Sequence, residues 1–137
     1  MNTGTNIIGT SDRRVVLSTL WIVVMLNMIF ADIFSFMNTG FLQELMTTGR
    51  AEEIEITPVF LLIAALMTEI PIMMVFLSRV LTYRVNRLFN IVAAVITIAY
   101  VIGGGSTTLH YVFIATVEIV CMVFIIWYAG KWHNSES

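Results

Sequence analysis

The sequence predicts an all-α fold: an integral membrane four-helix transmembrane bundle, with a short interfacial helix in the outer loop between helices 1 and 2. Three observations carry this. The 137-residue chain is 58% hydrophobic and 12% charged, with mean hydropathy +0.91, whereas soluble domains carry about 25% charged residues. Four apolar stretches approach the roughly 20 residues that a spanning helix needs. The segments between them are too short to hold a soluble domain, so residues 1–137 read as one four-helix unit.

Helix 1 is expected over residues 15–36. Arg13 and Arg14 precede it, as in a signal peptide, but the apolar stretch is too long for a signal core. It ends in Asp32-Ile33-Phe34-Ser35 without a small-residue cleavage pattern, so it reads as a retained helix. The outer loop spans residues 37–57. In its first part Phe41, Leu42, Leu45 and Met46 recur at helical spacing up to Gly49, the pattern of a short helix lying in the membrane interface. Its second part, "RAEEIEIT", alternates acids with isoleucine and reads as a solvated loop, or as part of a lid over the outer mouth of the bundle.

Helix 2, residues 58–81, opens on Thr57-Pro58, a capping residue followed by proline at the first helical position. Helix 3 is expected over 86–103; its apolar core from Leu88 is about 15 residues, so a turn is taken from the arginine-containing linker. The few linker residues make helices 2 and 3 antiparallel neighbours. "GGGSTT" then closes helix 3, with Ser106 or Thr107 as the cap of helix 4, residues 108–130.

Arg13, Arg14, Arg79, Arg84, Arg87 and Lys131 fall on one side of this alternating model, against Arg50 on the other. Short basic flanks stay in the cytoplasm. Both termini are therefore expected in the cytoplasm, with the chain in the bacterial inner membrane and the lipid bilayer as its first partner. A net charge of −2 and the lack of a basic stripe speak against nucleic acid. The lone Cys121 excludes both an internal disulfide and Cys-x-x-Cys redox chemistry.

Polar residues inside the spans carry the functional information, because a charged group at the bilayer centre costs at least about 2.5 kcal/mol and so faces the bundle interior or a wet cavity. The candidate ligand- or proton-binding residues are Glu69, Glu118, Asp32, Asn27, Tyr100, Tyr111 and His110. Glu69 and Glu118 lie at similar distances from the starts of two helices that run in the same direction, within about 3 Å in depth at helical rise. Glu69 shares a stripe with Leu62, Ala65, Met73 and Phe76; Glu118 shares one with Tyr111, Ala115, Met122 and Ile125. Small residues one turn away suggest that both carboxyls point inward. Pro71 supplies no N–H to the Met67 carbonyl, so a kink is expected there, leaving an acceptor near Glu69. Two accounts stay open: carboxyls that line a polar cavity, or neutral acids that merely pack the bundle. No lysine or arginine within the spans is placed to pair with the three acids, which favours the cavity.

"FADIFSFMNTG", "EIPIMMVFLSR", "YRVNRLFNI" and "ATVEIVCMVFIIWYAGKW" resemble a family of small bacterial four-span membrane proteins of unknown function, with a more distant likeness to DoxX-like bundles. The resemblance implies the four-span fold over nearly the whole chain and implies no activity. Small multidrug exporters fit poorly, since helix 1 carries Asp32 where they carry glutamate, and they lack the long outer loop.

No phosphate loop, zinc motif or hydrolase elbow is present, and His110 and Cys121 are too far apart on one helix to share a metal. No cofactor and no metal are expected, and catalytic residues are not identifiable. The function that follows is an acidic intramembrane cavity that binds or transports a small lipophilic or cationic solute, or protons. The alternatives are an isomerase-type enzyme using Glu69 and Glu118 as acid and base, or an accessory subunit of a larger membrane complex; a homo-oligomer fits any of these.

Overall fold

The computed structural model describes residues 2–51, 54–104 and 108–132, with side chains from Arg13 onward. Its elements are α1 (Asn2–Met37), α2 (Thr39–Thr48), β1 (Arg50–Ala51), β2 (Ile54–Glu55), α3 (Pro58–Val80), α4 (Tyr83–Gly103) and α5 (Leu109–Gly130). Four segments are long and apolar enough to cross a membrane: Arg13–Met37, Pro58–Val80, Tyr83–Gly103 and Leu109–Gly130. Helix α1 packs on α3 and α5, and α4 packs on the same two, so the four long helices close a ring in the order α1, α3, α4, α5.

Boundaries follow the local chemistry. Thr57 accepts the Phe60 N–H and Pro58 begins α3, as the Thr-Pro pair predicts. Helix α4 starts at Tyr83, three residues ahead of the expected 86, so the arginine-containing linker is largely helical and only Leu81 and Thr82 remain for the turn. Helix α1 likewise extends back beyond residue 15 to Asn2. Ser106 and Thr107, expected to cap the last helix, lie outside the described residues; Thr108 occupies the N-cap position.

Between α1 and α3, α2 fills the segment in which a short helix is expected, capped by the Asn38 side chain and ended by Gly49 at φ 71°. That left-handed conformation suits glycine, and the Gly49 N–H closes the helix on the Leu45 carbonyl. The alternating stretch after it does not run as an open loop. Arg50 pairs with Glu55 and Ala51 with Ile54 in a two-stranded antiparallel hairpin. Period-two alternation is a strand signal, so the pattern itself marked this.

The core sits where the helices cross: Leu17, Trp21 and Val24 of α1, Met74 of α3, Ala93, Ala94 and Val101 of α4, and Met122, Ile125 and Ala129 of α5. Small residues at Ala93, Ala94 and Ala129 allow close helix approach. Helix α3 runs unbroken through Pro71, whose ring is buried.

Candidate functional site

One carboxyl lies inside the ring. Glu118 of α5 is 3% exposed, on the same stripe as the buried Ile114, Met122 and Ile125. Its Oε1 atom is buried without a hydrogen-bond partner among the described residues. A buried polar atom ordinarily has one; the other such atom among the described residues, Arg14 Nε, lies at the start of the Arg13–Met37 span, whereas Glu118 lies at mid-span.

Depth can be read from the hydrogen bonds that fix the register of each helix pair. Arg13 reaches the Tyr128 carbonyl, and Ser35 lies 3.3 Å from His110, which bracket Glu118 between the levels of Val23 and Asn27 on α1. Ser18 donates to the Val75 carbonyl, which sets Glu69 level with Val24. The two glutamates therefore share a depth, as helix counting predicts, at the middle of their spans.

They do not share a cavity. Glu69 is exposed, as are Leu62, Ala65, Met73 and Phe76, the residues on its stripe. The expected inward orientation is thus corrected for Glu69: its stripe holds together as one face of α3, but that face points away from the ring. The buried face of α3 is Pro71, Met74 and Ser78. Because α3 is apolar all round, hydrophobicity could not distinguish its two faces. Glu69 instead edges a groove of about 500 Å3 between α3 and α4, and Glu118 is absent from its lining.

Asp32 is also exposed, about two turns from Glu118 towards the end of the bundle that carries α2 and the α4–α5 connection. Next to Asp32, Ser35 donates to the Ala31 carbonyl and meets His110, which stands edge-on to Phe34. Tyr111 donates to the Val101 carbonyl at 3.2 Å. Asn27 turns back on its own helix, donating to the Val23 carbonyl. Asp32, with Ser35 and His110 close by on the same end, lies towards the α2 side of Glu118, and no hydrogen bond joins it to Glu118 or Tyr100 among the described residues. Tyr111 serves the α4–α5 contact, while Glu69 and Asn27 stand apart.

The main polar cluster lies nearer the terminal end, and most of it is not singled out by charge or motif. Trp21 Nε1 donates to Asn90 Oδ1 at 2.8 Å, and Ser78 Oγ donates to the same oxygen at 3.3 Å. Asn90 Nδ2 donates to Asn86 Oδ1 at 2.6 Å and to the Asn86 carbonyl, while Asn86 Nδ2 donates to the Ser78 carbonyl at 2.7 Å. Asn86, Asn90 and Ser78 are fully buried. Every amide is satisfied, so this cluster pins α1, α3 and α4 together rather than offering a site. The one sequence signal for it is the i, i+4 asparagine pair on α4.

The same end closes on α5. Arg13 donates to the Tyr128 carbonyl, Arg87 to the Gly130 carbonyl and Tyr83 to the Trp132 carbonyl. Helix termini leave their last carbonyls unpaired and attract cations, so Arg13 and Arg87 cap α5, and Tyr83 holds Trp132 just beyond its end. No group of His, Cys, Asp and Glu among the described residues is placed to hold a metal ion.

Comparison with curated proteins and with solved structures finds no match to the chain. A family model described as "Family of unknown function (DUF6326)" matches residues 7–137. The chain, with its four apolar helices and the buried carboxyl of Glu118, belongs to that family.

Proposed function

We propose that this is a multi-pass membrane protein that binds a proton, or a small cation in its place, at Glu118, reached past Asp32 from the α2 end of the bundle. The observation that carries the reading is the unpartnered, buried Glu118 Oε1. A carboxyl at that depth needs either a proton or a cation to be stable. Asp32 lies on the way from Glu118 to the end of the bundle that carries α2, about two turns along.

The setting is a bacterial inner membrane with both termini in the cytoplasm. In support, six of the seven basic residues lie at the end with the termini, and only Arg50 lies at the other. Helix α2 then rests in the outer interface. It has no buried residue, exposes Leu42 and Met46, and is tied to α1 by the Phe36–Phe41 edge contact.

Proton-binding curves test the reading. Purified wild-type protein in detergent should bind one proton more than Glu118→Gln across the range where carboxyls titrate. Superimposable curves would overturn it.

A further inference from the structure

The groove between α3 and α4 poses a separate problem. Its walls are Leu66, Ile70 and Met73 of α3 and Phe89, Val92 and Ile96 of α4, with the buried Met74 and Ala93 beneath. Its one charged residue is Glu69, twelfth of the 23 residues of α3. Among the described residues Glu69 makes no hydrogen bond or ion pair, and it opens away from the ring.

Ionisable residues in spans almost always face the interior, because hydrocarbon solvates neither charge nor hydrogen bond. Glu69 does the reverse. Among the described residues nothing comes to meet it: the nearest basic residue on its own helix, Arg79, is about 15 Å along the axis, and Arg84 and Arg87 lie at that same end. A second copy has the same distribution and offers no cation at mid-span. A proton can neutralise Glu69; a group that pairs with its charged form must come from outside the described residues, carry positive charge, and be apolar enough to enter from the membrane. The volume, about 500 Å3, is that of a site for a small organic molecule (about 300 to 1,000 Å3).

We propose that the α3–α4 groove is a lateral binding site for a lipophilic organic cation, with Glu69 as counter-ion and Met73 and Phe89 packing its apolar body. Methionine adapts to varied shapes and aromatic faces attract cations, so the site accepts a chemical class rather than one molecule. It does not depend on proton binding at Glu118, which lies outside this groove.

The test is equilibrium binding of tetraphenylphosphonium to the purified full chain in lipid nanodiscs, with tetraphenylborate as a probe of the same shape and opposite charge. Saturable binding of the cation at one per chain is expected, with little binding of the anion. Glu69→Gln should weaken the cation about tenfold or more. Val92→Trp, which fills the groove while keeping the carboxyl, should weaken the cation as well. Glu118→Gln should leave cation affinity unchanged. Equal binding of the two ions, no saturable binding, or an affinity that Glu69→Gln leaves untouched would overturn the proposal. It would also fall if a stoichiometric partner chain held wild type, was lost from Glu69→Gln, and was not displaced by tetraphenylphosphonium, since the groove would then seat a protein helix.

Discussion

Glu69 and Glu118 lie at one depth in the bundle and face opposite ways, the first open to the groove between α3 and α4 and the second sealed within the ring. An acid–base pair acting on one substrate needs both groups within reach of it. These two lie on helices that are not neighbours in the ring. The arrangement therefore separates two chemistries that helix counting alone would merge into one cavity.

Replacing Glu118 should divide stability from function. Glu118→Leu removes a buried, unpartnered polar group and keeps similar volume, so thermal stability in detergent should hold or rise, by as much as about 1 to 4 kcal/mol on the precedent of buried ionic groups. Proton binding at the site should vanish in the same variant. A marked loss of stability would show that Glu118 has a structural partner.

Asn90 should behave in the contrary way. It accepts from Trp21 and Ser78 and donates to Asn86, so Asn90→Leu leaves several buried groups unpaired. A cost of about 1 to 3 kcal/mol is expected, measured by denaturant titration in mixed micelles. Trp21→Phe removes one donor and also leaves a cavity where the fully buried indole stood, so the hydrogen bond itself is read from a double-mutant cycle of Trp21→Phe with Asn90→Leu, where a coupling of about 0.6 kcal/mol is expected. If Asn90→Leu is neutral, the network does not hold the helices.

The cap on α5 makes a local prediction. Arg13→Ala combined with Arg87→Ala frees the Tyr128 and Gly130 carbonyls. The last turn should fray, and the Lys131 and Trp132 amides, which bond to Trp127 and Ala129, should exchange hydrogen faster while mid-helix amides do not. Unchanged exchange at the α5 terminus would contradict the capping role.

Orientation can be read by labelling. In a Cys121→Ala background, Thr48→Cys should react with an impermeant thiol reagent in intact cells and Ser135→Cys should not. The opposite pattern would invert the bundle.

The sequence made much of the fold legible and less of the site. Four apolar runs, the Thr57-Pro58 cap and Gly49 marked their elements because each rests on local chemistry. The strand pair at Arg50–Ala51 and Ile54–Glu55 was written in its alternation but is too short to stand out. Burial of Glu118 was legible from its stripe, since Tyr111, Ala115 and Met122 mark a face with a small residue for close approach. The outward turn of Glu69 was not. In a span with apolar residues on every side, the inner face is set by packing partners, here Pro71, Met74 and Ser78 against α1 and α4, and single-chain periodicity holds no record of them. Asn86 and Ser78 escaped notice for a related reason, because their importance lies in each other and in Trp21.

The most direct measurement on Glu118 is infrared difference spectroscopy on the protein in lipid during a pH step across neutrality, with Glu118→Gln to assign the carboxyl band. A carboxylic-acid band belonging to Glu118 should gain and lose its proton with the bulk solution, and should respond more slowly in Asp32→Asn. A Glu118 band that stays fixed throughout, or none that disappears in Glu118→Gln, would contradict proton binding at Glu118 and leave the buried carboxyl as a packing element.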